Sequence, residues 1–255
     1  MKYNLNLSSS TGKIYFEAPT MNLLHSSRNF IAVMTLLIIL VPGYHAFAES
    51  TINCHCFQDR SFDPADKFAS DDYILATSFN SLLARSFTIS KEQVVRLKME
   101  EKVGQDDLLI GLKLTKITGG YLDQLLGLSG AGYTWPQIIN GMEHQNPINN
   151  DKLAQDIKSG IPVGVAGDRV ADEMISEFYA IPTEDVERYR AYGLSEKEIG
   201  LVLVLAHFKD AEPETFVDQY KKQGSSWSEI AFTMGLEPSA AGKLVLAFPA
   251  KQLSE

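Results

Sequence analysis

Cys54-His55-Cys56 is the densest group of chemically capable side chains in the sequence. Two thiols and an imidazole can hold a soft metal, Cu(I) or Zn(II). In an extended chain Cys54 and Cys56 point to one side and His55 to the other, so all three reach one ion only across a turn. A fourth ligand would come from His144, His207 or a carboxylate. The chain has no other cysteines. In an oxidising compartment these two pair with each other or with another chain. A Cys-x-Cys bond closes a tight ring, and strained disulfides are more readily reduced. This favours a Cys54–Cys56 disulfide, with a Cu or Zn site, redox exchange and intermolecular linkage as the alternatives.

Other polar groups read as scaffold. Asp59, Asp63, Asp66, Asp71 and Asp72 follow the cysteines, but the spacing of a calcium loop is absent. They suit a solvated lead-in and the start of a first helix. Glu92 and Arg96, like Glu184 and Arg188, stand four apart with the acid first, the favourable order for a helical ion pair. There is no Gly-rich phosphate loop, HExxH, GxSxG, CxxCH or CxxC. No catalytic residue is assigned.

The location of any chemistry is set by the N-terminus. Phe30 to Val41 is apolar apart from Thr35, follows Arg28, and is broken by Pro42-Gly43 before Ala46-Phe47-Ala48. That order is the order of a secretory signal peptide. The run is short of the ~20 residues that span a bilayer. Cleavage is expected after Ala48, and Met21 is the better start, since Met1–Thr20 is polar. Removing 1–48 takes away Lys2, Lys13, Arg28 and Glu17 and leaves 20 basic and 31 acidic residues, net −11. Such a charge repels nucleic acid and anionic lipid. The mature chain is expected to be a free periplasmic or secreted protein, without stable membrane insertion.

Elements that position side chains are predicted all-α, as two tandem copies of a roughly five-helix unit. At an offset of 92, Ile89, Glu92, Val94 and Arg96 fall on Ile181, Glu184, Val186 and Arg188. Gly132, Trp135, Ile138 and Met142 fall on Gly224, Trp227, Ile230 and Met234. Leu108, Leu112 and Leu114 meet Ile199, Leu203 and Leu205 at 91, and Tyr121, Asp123 and Gln124 meet Phe216, Asp218 and Gln219 at 95. Trp135, Trp227, Glu92, Arg96, Glu184, Arg188, Asp123 and Asp218 are thus repeat markers. The organisation reads as leader 1–48, lead-in 49–69, first unit 70–142, linker with a short helix 143–161, and second unit plus a last helix 162–255.

Helix starts are legible as capping boxes at Ser90–Gln93, Thr134–Gln137, Ser195–Glu198 and Ser226–Glu229. Glu198–Phe208 is apolar nearly all round and belongs in the middle of its unit, as does Leu108–Ile117. Ile161–Val165 is expected to be a loop, because of its proline and glycine.

Ser226–Phe248, SWSEIAFTMGLEPSAAGKLVLAF, resembles the helix-turn-helix of bacterial transcription factors over about 23 residues. The second helix offers one lysine and no Arg, Asn or Gln to read bases. A packed helical corner is the expectation. The function that follows is a non-enzymatic partner-binding or scaffold protein of the cell envelope, its partner an envelope protein or polymer. Metal or thiol handling at Cys54, His55 and Cys56 is the alternative, and hydrolysis of envelope polymers a third.

Overall fold

Apolar residues at helical spacing, punctuated by caps and glycines, produce helices throughout. The computed structural model describes residues 59–142 and 147–249, all within one compact unit spanning Ser50–Glu255. Among them are twelve α-helices, one 3-10 turn and no strand. The signal-like run lies outside the described residues.

In chain order the helices are α1 (Asp71–Ser86), α2 (Lys91–Met99), α3 (Gln105–Thr118), α4 (Leu122–Gly130) and α5 (Trp135–Met142). A 3-10 turn (Pro147–Asn150) and α6 (Lys152–Lys158) connect these to α7 (Val163–Tyr179), α8 (Thr183–Ala191) and α9 (Glu196–Lys209). The chain closes with α10 (Pro213–Lys221), α11 (Trp227–Thr233) and α12 (Pro238–Ala247). No helix among the described residues is long and apolar enough to cross a membrane.

The caps act where the sequence puts them. Ser195 and Ser226 form full capping boxes with Glu198 and Glu229. Ser90 accepts from the Gln93 amide at 3.0 Å. Thr134 and Gln137 bond each other reciprocally. Such a cap contributes ~1 kcal/mol. Ile161–Val165 departs from the expected loop. Pro162 sits at φ −54 just ahead of the first turn, and α7 starts at Val163. A proline there gives up an amide that has no helical partner in any case.

Two helices form the middle of the body. Seven consecutive residues of α3, Leu108–Leu114, are buried, as are eight of α9, Ile199–Ala206. Helix α3 packs on α7, and α9 packs on α1. Burying Lys113 within α3 leaves its charge to be met by Glu173 of α7 and by Asp151, 3.2 Å away, which also caps α6.

Helix α1 is fastened to the C-terminal helices α9, α11 and α12. Asp71 accepts from the Trp227 and Ser228 amides at 3.1 and 2.8 Å, so it satisfies the first turn of α11 from 156 residues away. Arg85 donates to the Phe248 carbonyl at 3.0 Å. Gly242 meets α1 so closely that a Cβ would stand 2.8 Å from the Thr77 carbonyl. The helix that resembled a recognition helix is therefore packed along α1, with Ala241, Gly242 and Val245 buried.

Candidate partner-binding face

Charge is spread over most of this chain, but residues 124–142, QLLGLSGAGYTWPQIINGM, carry none. They form most of α4, the turn after it and all of α5. Leu125, Leu126, Trp135, Ile138 and Ile139 point into the core. The other side of the same elements is neutral and exposed, with Gln124, Gly127, Gly130, Ala131, Gly132 and Asn140 on the surface. Tyr121 (59% exposed) and Tyr133 (49%) stand at the two ends of α4. The nine residues of α4 between them rise roughly 14 Å.

The glycines here are not explained by the fold. A Cβ at Gly127, Gly130 or Gly141 would meet nothing within 4 Å, and none of the three has a left-handed φ. Each costs the helix roughly 0.5–1 kcal/mol relative to alanine. Glycine on an open surface lets another molecule approach the backbone closely. Exposed tyrosine with Gly, Ser and Asn is also the composition of surfaces that bind by rigid aromatic contact and adaptable hydrogen bonds. In the stretch after Pro213, by contrast, the surface is charged, with Glu214, Asp218, Lys221, Lys222 and Glu229.

A second polar group lies between the N-termini of α3 and α9. Lys98 of α2 donates to Asn80 at 3.0 Å and to Gln105 at 3.4 Å. Gln105, the first residue of α3, donates to Glu196, the first of α9. Arg190 of α8 bonds Asp172 at 2.6 Å and Asp168 at 3.2 Å, with Glu196 at 3.8 Å. Burial lowers the Lys98 amine to about 8; Lys197 pushes the same way and Glu196 opposes. Burial raises Asp172 despite its bond to Arg190. Every polar group named in this seam has a partner, which suits a joint between helices rather than a vacant site.

The residues singled out from sequence fall as follows. Cys54, His55 and Cys56 precede the described residues. No group of three or more His, Cys, Asp or Glu among the described residues could hold a metal ion. Trp135 and Trp227 are buried, and their indoles donate to Asp107 (2.7 Å) and Glu198 (3.0 Å). The helical pairs form differently from expectation. Arg96 pairs with Glu101, just beyond the end of α2, while Glu92 stays exposed. Arg188 pairs with Asp185 at 2.6 Å and Glu214 at 3.4 Å, and Glu184 stays exposed. In both cases a carboxylate one turn away or on a neighbouring element competes for a long, free guanidinium. Asp218 pairs with Lys222 at 2.8 Å, and Asp123 is exposed.

Asp123 is the second residue of α4, whereas Asp218 is the sixth of α10, so their match at offset 95 is one turn out of step with the helix boundaries. The neutral face has no motif in the sequence, because it is marked by an absence. Nineteen residues without charge, in a chain of net charge −9, are the signal.

No protein-family model, curated protein or solved structure matches the chain.

Proposed function

We propose that this is an exported, internally duplicated helical protein of the cell envelope that binds an uncharged partner surface, protein or polymer, on the α4–α5 face. The observation that carries the binding reading is the set of surface glycines, Gly127, Gly130 and Gly141, that helix stability disfavours and packing does not require. Tyr121 and Tyr133 supply the large amphipathic contacts. Export rests on the leader-like order of Arg28, the apolar run to Val41 and Ala46-Phe47-Ala48.

Duplication is supported by position after position. Helices α1 and α7, α2 and α8, and α5 and α11 start 92 residues apart; α3 and α9, and α4 and α10, start 91 apart. Leu125 and Leu126 then correspond to Phe216 and Val217, and all four are buried. Thr88 and Ala180, 92 apart, share a left-handed backbone, φ 55 and 56. Asp107 and Glu198, which receive the two indoles, are 91 apart. Pro147, Lys152 and Leu153 match Pro238, Lys243 and Leu244 at 91. We therefore extend each unit by a sixth element, the 3-10 turn with α6 in the first and α12 in the second.

A photocrosslinking residue at Tyr133, in protein produced in its own envelope, tests the binding face. A discrete adduct at position 133 that is absent with the probe at exposed Lys209 supports it. The same adducts at both positions, or none at 133, would overturn it.

A further inference from the structure

Helix α1 packs on α9 and α12, and α7 packs on α3 and α6. Under the duplication proposed above, on which this inference rests, α1 corresponds to α7, α3 to α9, and α6 to α12. The two sets are then one packing made in opposite directions, each half laying its first helix on the other. The apolar stripe agrees. At an offset of 92, Ile74, Phe79, Leu82 and Leu83 of α1 fall on Ala166, Ala171, Met174 and Ile175 of α7, and all eight are buried. Leu82 lies so close to α9 that a Cβ at Gly200 would stand 3.2 Å from it. Apolar burial is the main force holding a core together, so a half without the other's first helix exposes the surface that receives it.

The polar seam repeats the symmetry. Gln105 and Glu196 open α3 and α9, 91 residues apart, and hydrogen-bond to each other. In a twofold interface a residue meets its own counterpart only beside the axis. The groups around them pair up as well. At an offset of 92, Lys98 corresponds to Arg190 and Asn80 to Asp172. Lys98 bonds Asn80 at 3.0 Å, and Arg190 bonds Asp172 at 2.6 Å. Lys98 reaches Gln105 at 3.4 Å, and Arg190 approaches Glu196 at 3.8 Å.

We infer that the chain is a tethered, pseudo-twofold dimer whose halves, α1–α6 and α7–α12, exchange their first helices about an axis beside Gln105 and Glu196. The surface of α9 and α12 receives α1, the surface of α3 and α6 receives α7, and the partner each surface fits is the other half. Exchange of an identical element is a low-cost way to join two protomers. The link between α6 and α7 tethers the pair, while the exchanged helices hold it.

A protease recognition sequence inserted after exposed Gly160, in that link, tests this on the full chain. After cutting, the two fragments are expected to elute together at the size of the uncut protein and to part only in denaturant. Their melting temperature is expected to rise with protein concentration, as it does when folding requires two chains, while that of the uncut protein stays constant. Leu82→Ala is expected to shift the cut protein towards free fragments. Fragments that elute separately without denaturant, helical or unfolded, overturn the exchange. Association that Leu82→Ala leaves unchanged overturns α1 as the exchanged element. Either result leaves the duplication standing, because that reading fails instead if Trp135 and Trp227 prove unequal in their coupling to Asp107 and Glu198.

Discussion

The indole N–H of Trp227 donates to Glu198 at 3.0 Å, and Glu198 is the third residue of α9. Trp135 makes the same bond, at 2.7 Å, to Asp107, the third residue of α3. In each case a carboxylate in the first turn of a buried helix holds the tryptophan of the corner two helices later. Around Trp227 the device is fuller: Tyr220 stacks on it at 4.2 Å, and Glu198 caps Ser195. Double-mutant cycles, Trp227→Phe with Glu198→Ala and Trp135→Phe with Asp107→Ala, are expected to give coupling energies of similar size, about 1–3 kcal/mol each. Denaturant unfolding measures them. Coupling in one corner and none in the other would refute the equivalence of the two tryptophans.

Glycines separate the demands of packing from those of the surface. Gly242→Ala is expected to destabilise, because the added methyl would stand 2.8 Å from a backbone carbonyl of α1 that cannot turn aside. The cost expected of such overpacking is about 1–3 kcal/mol. Gly127→Ala is expected to stabilise by roughly 0.5–1 kcal/mol, because it meets open space inside a helix. If the α4–α5 face binds a partner through close backbone approach, the same Gly127→Ala change lowers the yield of the Tyr133 crosslink. A more stable protein with undiminished crosslinking would count against the glycines as a binding feature.

What the sequence made legible was local. A cap needs a serine and an acid three residues apart, so Ser195 with Glu198 and Ser226 with Glu229 are visible without a fold. Asp71 reaching the first turn of α11 has no such signature, because the two meet only when α1 lies across the C-terminal helices. The ion partner of Arg96 was equally hidden, since Glu101 lies past the helix end and enters no helical spacing rule. Under the proposed duplication, the match of Tyr121, Asp123 and Gln124 with Phe216, Asp218 and Gln219 is a turn out of step with the helix boundaries. Tyr121 is 59% exposed and Phe216 is 4%, so the two cannot play one role. In the proposed register, the buried pairs are Leu125 with Phe216 and Leu126 with Val217.

Thr88 holds φ at 55 and Ala180 at 56, in the links that follow α1 and α7. A β-branched residue is a poor occupant of the left-handed region, which costs a side chain roughly 1–2 kcal/mol. Thr88→Gly is expected to stabilise more than Ala180→Gly, by up to ~1 kcal/mol, after allowance for the greater freedom glycine gives the unfolded chain. Thermal melts of the two variants check the order. A large loss in Thr88→Gly would mean that the threonine side chain holds the link in place.

Two carboxylates in the first turns of α3 and α9 give opposite responses to acid. Asp106, in the first turn of α3, presses against α7 so closely that a Cβ at Gly167 would stand 2.5 Å from its carboxylate oxygen. Burial, with Asp168, Glu196 and Asp107 around it, raises its pKa. Its ionised form is thus a cost in the folded state, and that cost disappears as pH falls through the raised value. Glu198 is pushed up by burial, but the Ser195 amide, Trp227 and the Ser195 hydroxyl outweigh this and hold it below the usual carboxylate range. Its contribution is present above the ordinary glutamate value of about 4.3 and is lost as pH falls through the lowered one. Asp106→Asn is therefore expected to melt higher than wild type at neutral pH, with the gap closing towards about pH 4. Glu198→Gln is expected to melt lower at neutral pH, with its gap closing only in stronger acid. Melting temperatures across pH 3 to 8 for the three proteins decide the point, and gaps that do not change with pH would remove both carboxylates from the acid response.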